Sequence, residues 1–297
     1  MIIPVRNGEN YIREAVLSVL NQGQSLREVL VIDDGSTDQT LIVLDTIHDE
    51  RLTILSRGQG PGGVSAVRNQ GLHAASGEWL MFLDADDRLK SGAFDALLAR
   101  RKEGDVAIYG DYQRIDERGR SIGQRQRLGK RQKPSGDILE PLLGGNFIVN
   151  GGIMLLRRDV FLGLGGFDQT LAYAEDWFAW CRLATKGTIT YVPSLHVMDY
   201  RVHLQSVMMQ KPLTLDHCLP AVEATFADAE IVARFTEQRR TELKDKAIAH
   251  MQAYCIAQGF RAKRYRMAIK ELTSVLFNKP KHFPRMAAIS AAALLGL

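Results

Sequence analysis

Cysteine is scarce in this sequence. Cys181, Cys218 and Cys255 are odd in number and far apart, and no two stand at metal-ligand spacing. That argues against a cysteine metal site and suits three buried, reduced thiols in a cytosolic protein. Long apolar runs are missing as well. No charged segment followed by an apolar one opens the chain, so a standard secretion signal is not expected. No uninterrupted run reaches the roughly 20 residues that a membrane-spanning helix needs. A strong charge of either sign is also absent: +4 over 297 residues lends no support to a nucleic-acid partner, and none is expected. What remains is an ordinary composition, 45% hydrophobic and 24% charged, sufficient for one large domain with an appendage or for two domains.

Over the first hundred residues, short apolar runs alternate with helical periods. The runs are "MIIPV", "EVLVID", "LTILS" and "WLMFLD"; the helices are expected over about 11–21, 37–47 and 64–75. This alternation signals α/β architecture with a mainly parallel sheet covered by helices. Ser36 with Gln39 reads as a capping box opening the second helix. From Arg114 to Lys133 the pattern breaks down into eight basic residues against two acids, which predicts an exposed loop. Order resumes with "NFIVNGGIMLLRRDVF", strand-like, where Gly151 and Gly152 permit close approach of backbone or ligand. "EDWFAWCRLATKG" reads as a helix closed by Gly187. Leu215, Leu219, Val222 and Phe226 then share one helical face, and helices are expected to about residue 277. We place a boundary near 210, with residues 1–110 and 111–210 as two halves of one domain and 211–297 as a helical extension.

The chemistry sits at strand ends. "WLMFLDADDRL" runs apolar residues into Asp84, Asp86 and Asp87, carboxylates that repel one another unless a cation or donors hold them ionised. Asp84 and Asp86 project to one side of an extended chain, at the carboxyl end of a buried strand where α/β sheets hold ligands. Clustered oxygens there suit Mg²⁺ or Mn²⁺, completed by phosphate oxygens. The plain alternative is a polar turn capping the next helix. "VLVIDDGSTD" repeats the design one unit earlier with Asp33 and Asp34, again with a simple strand-to-helix turn as the alternative.

The order "IIPVRNGE", "VIDDGSTDQT", "VRNQGL…ASGEWLMFLDADD" and "AEDW" resembles the inverting glycosyltransferases of family 2, over residues 1–206. The resemblance implies a GT-A fold, a nucleotide-sugar donor, a UDP-sugar by preference, and a saccharide or lipid-linked acceptor in surface polysaccharide synthesis. It implies Pro4, Val5, Arg6, Glu9, Asp34, Arg68, Asp84 and Ala85 around the nucleotide, with Asp34 accepting a base N–H. It makes Asp86 the metal ligand and Asp176 the general base. "YRVHLQS" matches a family segment in which His203 approaches the metal. Gly152, Glu175, Trp177 and Arg201 are expected at the acceptor or diphosphate. From residue types alone, Glu175 and Asp176 also fit acids complementing a helix dipole, and His203 a structural histidine.

Two features depart from the family. The chain begins inside its first strand, and Arg6 stands where an aromatic is usual, so either the natural start lies earlier or a guanidinium plane takes over base stacking. "GQGPGG" formally satisfies the dinucleotide-binding glycine pattern, but after the third strand rather than the first. Binding of a nucleotide sugar without turnover, and sugar-phosphate nucleotidyl transfer, remain the alternatives. Finally, residues 261–285 carry eight basic residues against one acid, followed by apolar "MAAISAAALLGL". This tail either touches the inner face of an anionic membrane or docks on the core or on a second subunit as a homodimer contact.

Overall fold

The computed structural model describes residues 1–57, 62–122, 133–203, 206, 212–278 and 283–294. Residues 58–61 of the glycine-rich stretch, 123–132 of the basic stretch, 204–205 of "YRVHLQS", and 279–282 and 295–297 of the tail lie outside them.

β1 (Ile2–Val5), α1 (Ile12–Leu20), β2 (Val29–Asp33), α2 (Thr40–Asp45), β3 (Leu52–Ser56) and α3 (Gly63–Ala74) form successive βα units. β2 is buried along its whole length and lies between β1 and β3, both parallel to it. Such a strand must be apolar on both faces, which is why "VLVI" shows no alternation. α1 buries Ile12, Ala15, Val16 and Val19, an i, i+3, i+4, i+7 stripe.

β4 (Trp79–Leu80), β5 (Arg88–Leu89), α4 (Ala93–Leu98), β6 (Asp105–Ile115), α5 (Leu139–Leu143), β7 (Met154–Arg157), α6 (Arg158–Gly163), α7 (Glu175–Leu183) and β8 (Thr188–Arg201) follow. Their strands form a mixed sheet in the order β4-β7-β6-β8-β5. The chain just after β4 joins the two sheets, because Ile2 N–H donates to Met81 and Leu83 N–H to Ile2. β1 therefore has β2 on one side and the β4 extension on the other. This is a topological switch point, and the crevice beyond the carboxyl ends of β1 and β4 is where such sheets bind ligands.

Several local expectations give way to tertiary contacts. α2 begins at Thr40, not near residue 37, and the Ser36 hydroxyl accepts the N–H of Asn7 (2.9 Å) instead of capping it. Glu9 and Asp38 cap α2 instead, accepting from Gln39 N–H (2.8 Å) and Thr40 N–H (3.0 Å). Only Met154–Arg157 of the strand-like segment is strand; a 3₁₀ turn over Gly151–Ile153 precedes it and α6 follows. Gly187 is not a helix cap. α7 ends at Leu183, and a Cβ at Gly187 would stand 2.7 Å from the Gly104 carbonyl, so glycine there lets β8 approach β6. The basic stretch is ordered at its ends: β6 runs to Ile115, which bridges to Ser121, and Lys133 pairs with Asp111 at 2.8 Å.

The C-terminal helices are α8 (Leu215–Ala227), α9 (Ala229–Val232), α10 (Glu237–Arg261), α11 (Tyr265–Asn278) and α12 (Phe283–Leu294). The main apolar core continues through Cys218, Val222, Leu243, Ala247 and Cys255. A second cluster joins the far half of α10 to α11 and α12 through Ile256, Phe260, Ala268, Val275, Met286 and Ala293. The apolar terminal helix is thus docked on its own chain. All three cysteines are buried and free, and no described helix is long and apolar enough to cross a membrane.

α3 carries a fit that positions the site. A Cβ at Gly71 would lie 2.4 Å from Ile2 Cγ2, so only glycine lets this helix sit against β1. Gly71→Ala is expected to destabilise by about 1–3 kcal/mol through overpacking, seen as a lower urea midpoint at unchanged m-value. A raised midpoint would contradict this packing.

Candidate active site

Two loops interlock beyond the carboxyl ends of β1 and β2. Val5 ends β1 and its carbonyl accepts Asp34 N–H (2.9 Å). Asn7 takes a left-handed conformation (φ 54°), and its side chain accepts Thr37 N–H at 2.8 Å. Asp33 closes the β2 end by accepting from Gly35 and Ser36, each at about 3.2 Å. Asp34 is buried and accepts Gly62 N–H (3.0 Å), with Arg57 at 3.5 Å. Pro4 is half-buried and Arg6 exposed. A Cβ at Gly8 would come 2.7 Å from Val5 Cγ2 and 3.7 Å from Ala85 Cβ, so small residues bring the β1 and β4 loops together.

Five carboxylates gather beyond β4 and at the start of α7, laced by a few donors. Arg68, buried on α3, donates to Asp84 (2.9 Å) and to Glu175 (3.1 Å), and its guanidinium lies 5.3 Å from the Phe167 ring centroid. Burial opposes the Arg68 charge, but Asp84 and Glu175 outweigh it and keep the side chain cationic. Asn150 reaches both Asp84 (3.3 Å) and Asp87 (3.2 Å). Asp87 is buried; burial first, then Asp86 and Asp84, push its pKa well above the usual range, against the hydrogen bond from Arg201 N–H. Asp86 faces His203 Nε2 at 2.7 Å, while His203 Nδ1 is buried without a partner among the described residues.

Asp176 lies in the first turn of α7, directly after Glu175 and Ala174, the latter left-handed at φ 57°. Burial, followed by the adjacent Glu175, raises the Asp176 pKa to about 7, with Arg68 and the Trp177 N–H opposing. A carboxyl group titrating near neutrality in a crevice has the pKa of a general base. Backbone strain next to it is of the kind that persists where surrounding structure fixes a functional geometry.

Other residues expected at the site are turned to structural work. Trp177 is fully buried and its indole N–H is bonded to Leu142 (2.8 Å), so it cannot touch a ligand. Gly152 is buried and its N–H goes to Asn150 Oδ1 (2.9 Å); a Cβ there would be 2.6 Å from Met198 Sδ. It admits a protein side chain, not a ligand. The Arg201 guanidinium is spent on the carbonyls of Asp86 (2.8 Å), Asp116 and Glu117 and on the Glu14 carboxylate, and it lies 4.6 Å from the Tyr11 ring centroid. It holds the Asp86 loop in place rather than facing a diphosphate. The carboxylate of Glu9 caps α2 from the surface. Sequence reasoning missed Asn150, Glu14 and Tyr11. Only the asparagine carries a faint signal, a polar residue between an apolar run and two glycines.

Among the described residues, no three His, Cys, Asp or Glu side chains form a ready cage for a metal. The donor set still fits one: Asp86 and His203 offer an oxygen and a nitrogen, and a hard divalent ion commonly takes its other ligands from substrate phosphates and water.

The family model for glycosyl transferase family 2 matches residues 1–164. A glycosyltransferase of Haemophilus influenzae is 31% identical over 212 residues, covering 68% of this chain and 65% of its own length. The chain thus spans slightly under two thirds of that relative. The S. aureus TarS 1–349 structure in complex with UDP-GlcNAc superposes with TM-score 0.66 at 18% identity, covering 99% of this chain and 80% of that one. The mannosyltransferase PcManGT from Pyrobaculum calidifontis, in complex with GDP-Man and Mn²⁺, gives TM-score 0.60 at 17% identity, covering 99% and 85%. The fold is GT-A, and the chain belongs to glycosyltransferase family 2.

Removing Arg68 would strand Asp84 and Glu175 as neighbouring carboxylates. Arg68→Met is expected to cost about 3 kcal/mol at pH 7.5, within the range for breaking a buried pair. Adding Glu175→Gln to Arg68→Met, which removes one of the two stranded charges, should recover part of that deficit. Urea unfolding of both variants checks this; an equal deficit in the two would refute the electrostatic role.

Proposed function

We propose that this protein is a metal-dependent, inverting glycosyltransferase that moves a sugar from a nucleoside diphosphate, preferentially a UDP-sugar, to a hydroxyl of a saccharide or lipid-linked acceptor. One observation carries the reading. A carboxyl group with its pKa lifted to about 7, Asp176, adjoins Glu175, Arg68 and Asp84, in the same acidic cluster as the Asp86–His203 pair. The neighbours' nucleotide-sugar ligands support the donor class, and the Mn²⁺ of PcManGT supports a divalent ion. Residues 1–210 then form the catalytic unit and 211–297 an extension.

In this mechanism Asp34 takes a base N–H, and Asp84 and Arg68 border the ribose and diphosphate. Asp86 and His203 would hold the metal ion, Mn²⁺ or Mg²⁺, whose charge offsets that of the departing diphosphate. Ionised Asp176 accepts the acceptor hydroxyl's proton as that oxygen attacks the anomeric carbon from the face opposite the diphosphate. The new C–O bond forms while the bond to the phosphate oxygen breaks, and the nucleoside diphosphate leaves with its electron pair. The anomeric configuration inverts, and Asp176 passes its proton to water.

Calorimetric titration with UDP, GDP and dTDP, with and without Mn²⁺, tests the donor site. Metal-dependent binding of one diphosphate, abolished by Asp86→Ala, is the expected result; binding of none would overturn the reading. Asp176→Asn should keep that binding but lower transfer by roughly 10²–10⁴-fold, the usual contribution of a general base. Because the base works only when ionised, log kcat/KM should fall with unit slope as pH drops below about 7. A profile flat from pH 5 to 8 would exclude Asp176 as that base.

A further inference from the structure

The surface of α11 is built unlike the rest of the molecule. Its inner side, Ala268, Leu272 and Val275, packs against α10 and α12 in the second apolar cluster. Its outer side nevertheless presents Tyr265, Ile269, Leu276 and Phe277 to solvent, the last 80% exposed. Among the described residues, these are four of the ten large hydrophobic side chains left exposed. Tyr265, Ile269 and Leu276 stand at i, i+4 and i+11, so at 3.6 residues per turn they form one stripe. Single exposed apolar residues need no explanation, whereas a contiguous stripe marks a surface that meets something.

The charge around the stripe says what. Arg266 and Lys270, both exposed, flank it, and exposed Lys263 stands just before the helix. Glu271, the one acid between residues 261 and 285, falls outside the exposed sector. An apolar stripe bordered by cations, with tyrosine at its rim, matches the layered chemistry of an anionic bilayer surface: acyl chains below, phosphate headgroups above. A second copy of the same chain would bring its own cations against these and would be repelled. The apolar terminal helix, the more obvious candidate from sequence, is occupied, since α12 turns Met286 and Ala293 onto its own chain.

We infer that α11 docks this protein on the surface of a membrane rich in anionic phospholipid, with Ile269, Leu276 and Phe277 entering the acyl boundary and Lys263, Arg266 and Lys270 contacting headgroup phosphates. The inference is independent of the reaction proposed above, because it concerns a surface and not the crevice.

Flotation of the full chain with vesicles of phosphatidylcholine alone, or with a third phosphatidylglycerol, tests it. Binding should require the anionic lipid and weaken at high salt. Neutralising Lys263, Arg266 and Lys270 with glutamine should lower partitioning on the order of 100-fold, following the typical contribution of a basic residue near an anionic surface. Ile269→Asp with Phe277→Asp should abolish it while thermal unfolding and nucleoside diphosphate titration stay unchanged, which separates loss of docking from loss of fold or of donor binding. No flotation with anionic vesicles, or equal flotation of both variants, would overturn the proposal. A dimer in light scattering that the aspartate variant dissociates, without vesicle binding, would also overturn it and assign the face to a second copy.

Discussion

Five carboxylates within one crevice cannot all ionise beside one another without cations and donors among them, and the arrangement of this protein follows from that constraint. Arg68 supplies one cation from α3, bridging acids on the β4 loop and on α7. Arg201 supplies another from the end of β8, engaging the Asp86 carbonyl and Glu14 on α1. Asn150 adds neutral donors between Asp84 and Asp87. Elements far apart in sequence are thus tied at the mouth of the sheet by their charges as much as by apolar packing beneath.

The balance is incomplete, and the proposed chemistry draws on that incompleteness. Asp87 and Asp176 are left with raised pKa values because burial and like charge exceed the donors available to them. Asp86 has only His203 as a side-chain partner among the described contacts. A protein built solely for stability would replace such groups, and keeping them accords with the proposed function, which uses a cation, a diphosphate and a mobile proton. Arg201 shows the division of labour. Its planar fork is filled by backbone carbonyls and a carboxylate, and it fixes the Asp86 loop while the Asp86 carboxylate faces His203.

Much of this was legible beforehand because it depends on local pattern. Unbroken apolar runs marked β1 and β2, which are buried and parallel, whereas the "LTILS" run became the edge strand β3 with Thr53 and Ile54 exposed, and β4 pairs antiparallel with β7. The acids following two of the runs stand at the carboxyl ends of their strands. What went astray did so where a distant partner overrode a local preference. Ser36 looks like a helix cap, yet the β1 loop claims its hydroxyl. Gly187 looks like a helix stop, yet β6 requires it. Trp177 sits beside the proposed base in sequence, but one step along a helix is a turn of about 100°, enough to point a neighbour into the core. Asn150 had no visible role because its partners lie more than sixty positions away.

By itself, the sequence determined the α/β class and the acid-bearing strand ends, because strand and helix periods and strand-end acids are properties of short stretches. The switch point, made where β1 pairs with β2 on one side and with the chain after β4 on the other, came from tertiary pairing. Only the tertiary structure decided which of those residues face the crevice and which hold it together. It also decided that the terminal apolar helix docks on its own chain while the outer face of α11 stays exposed. Burial, the share of donors each carboxylate receives and the exposure of a helix face are all set by elements that meet only when the chain is folded.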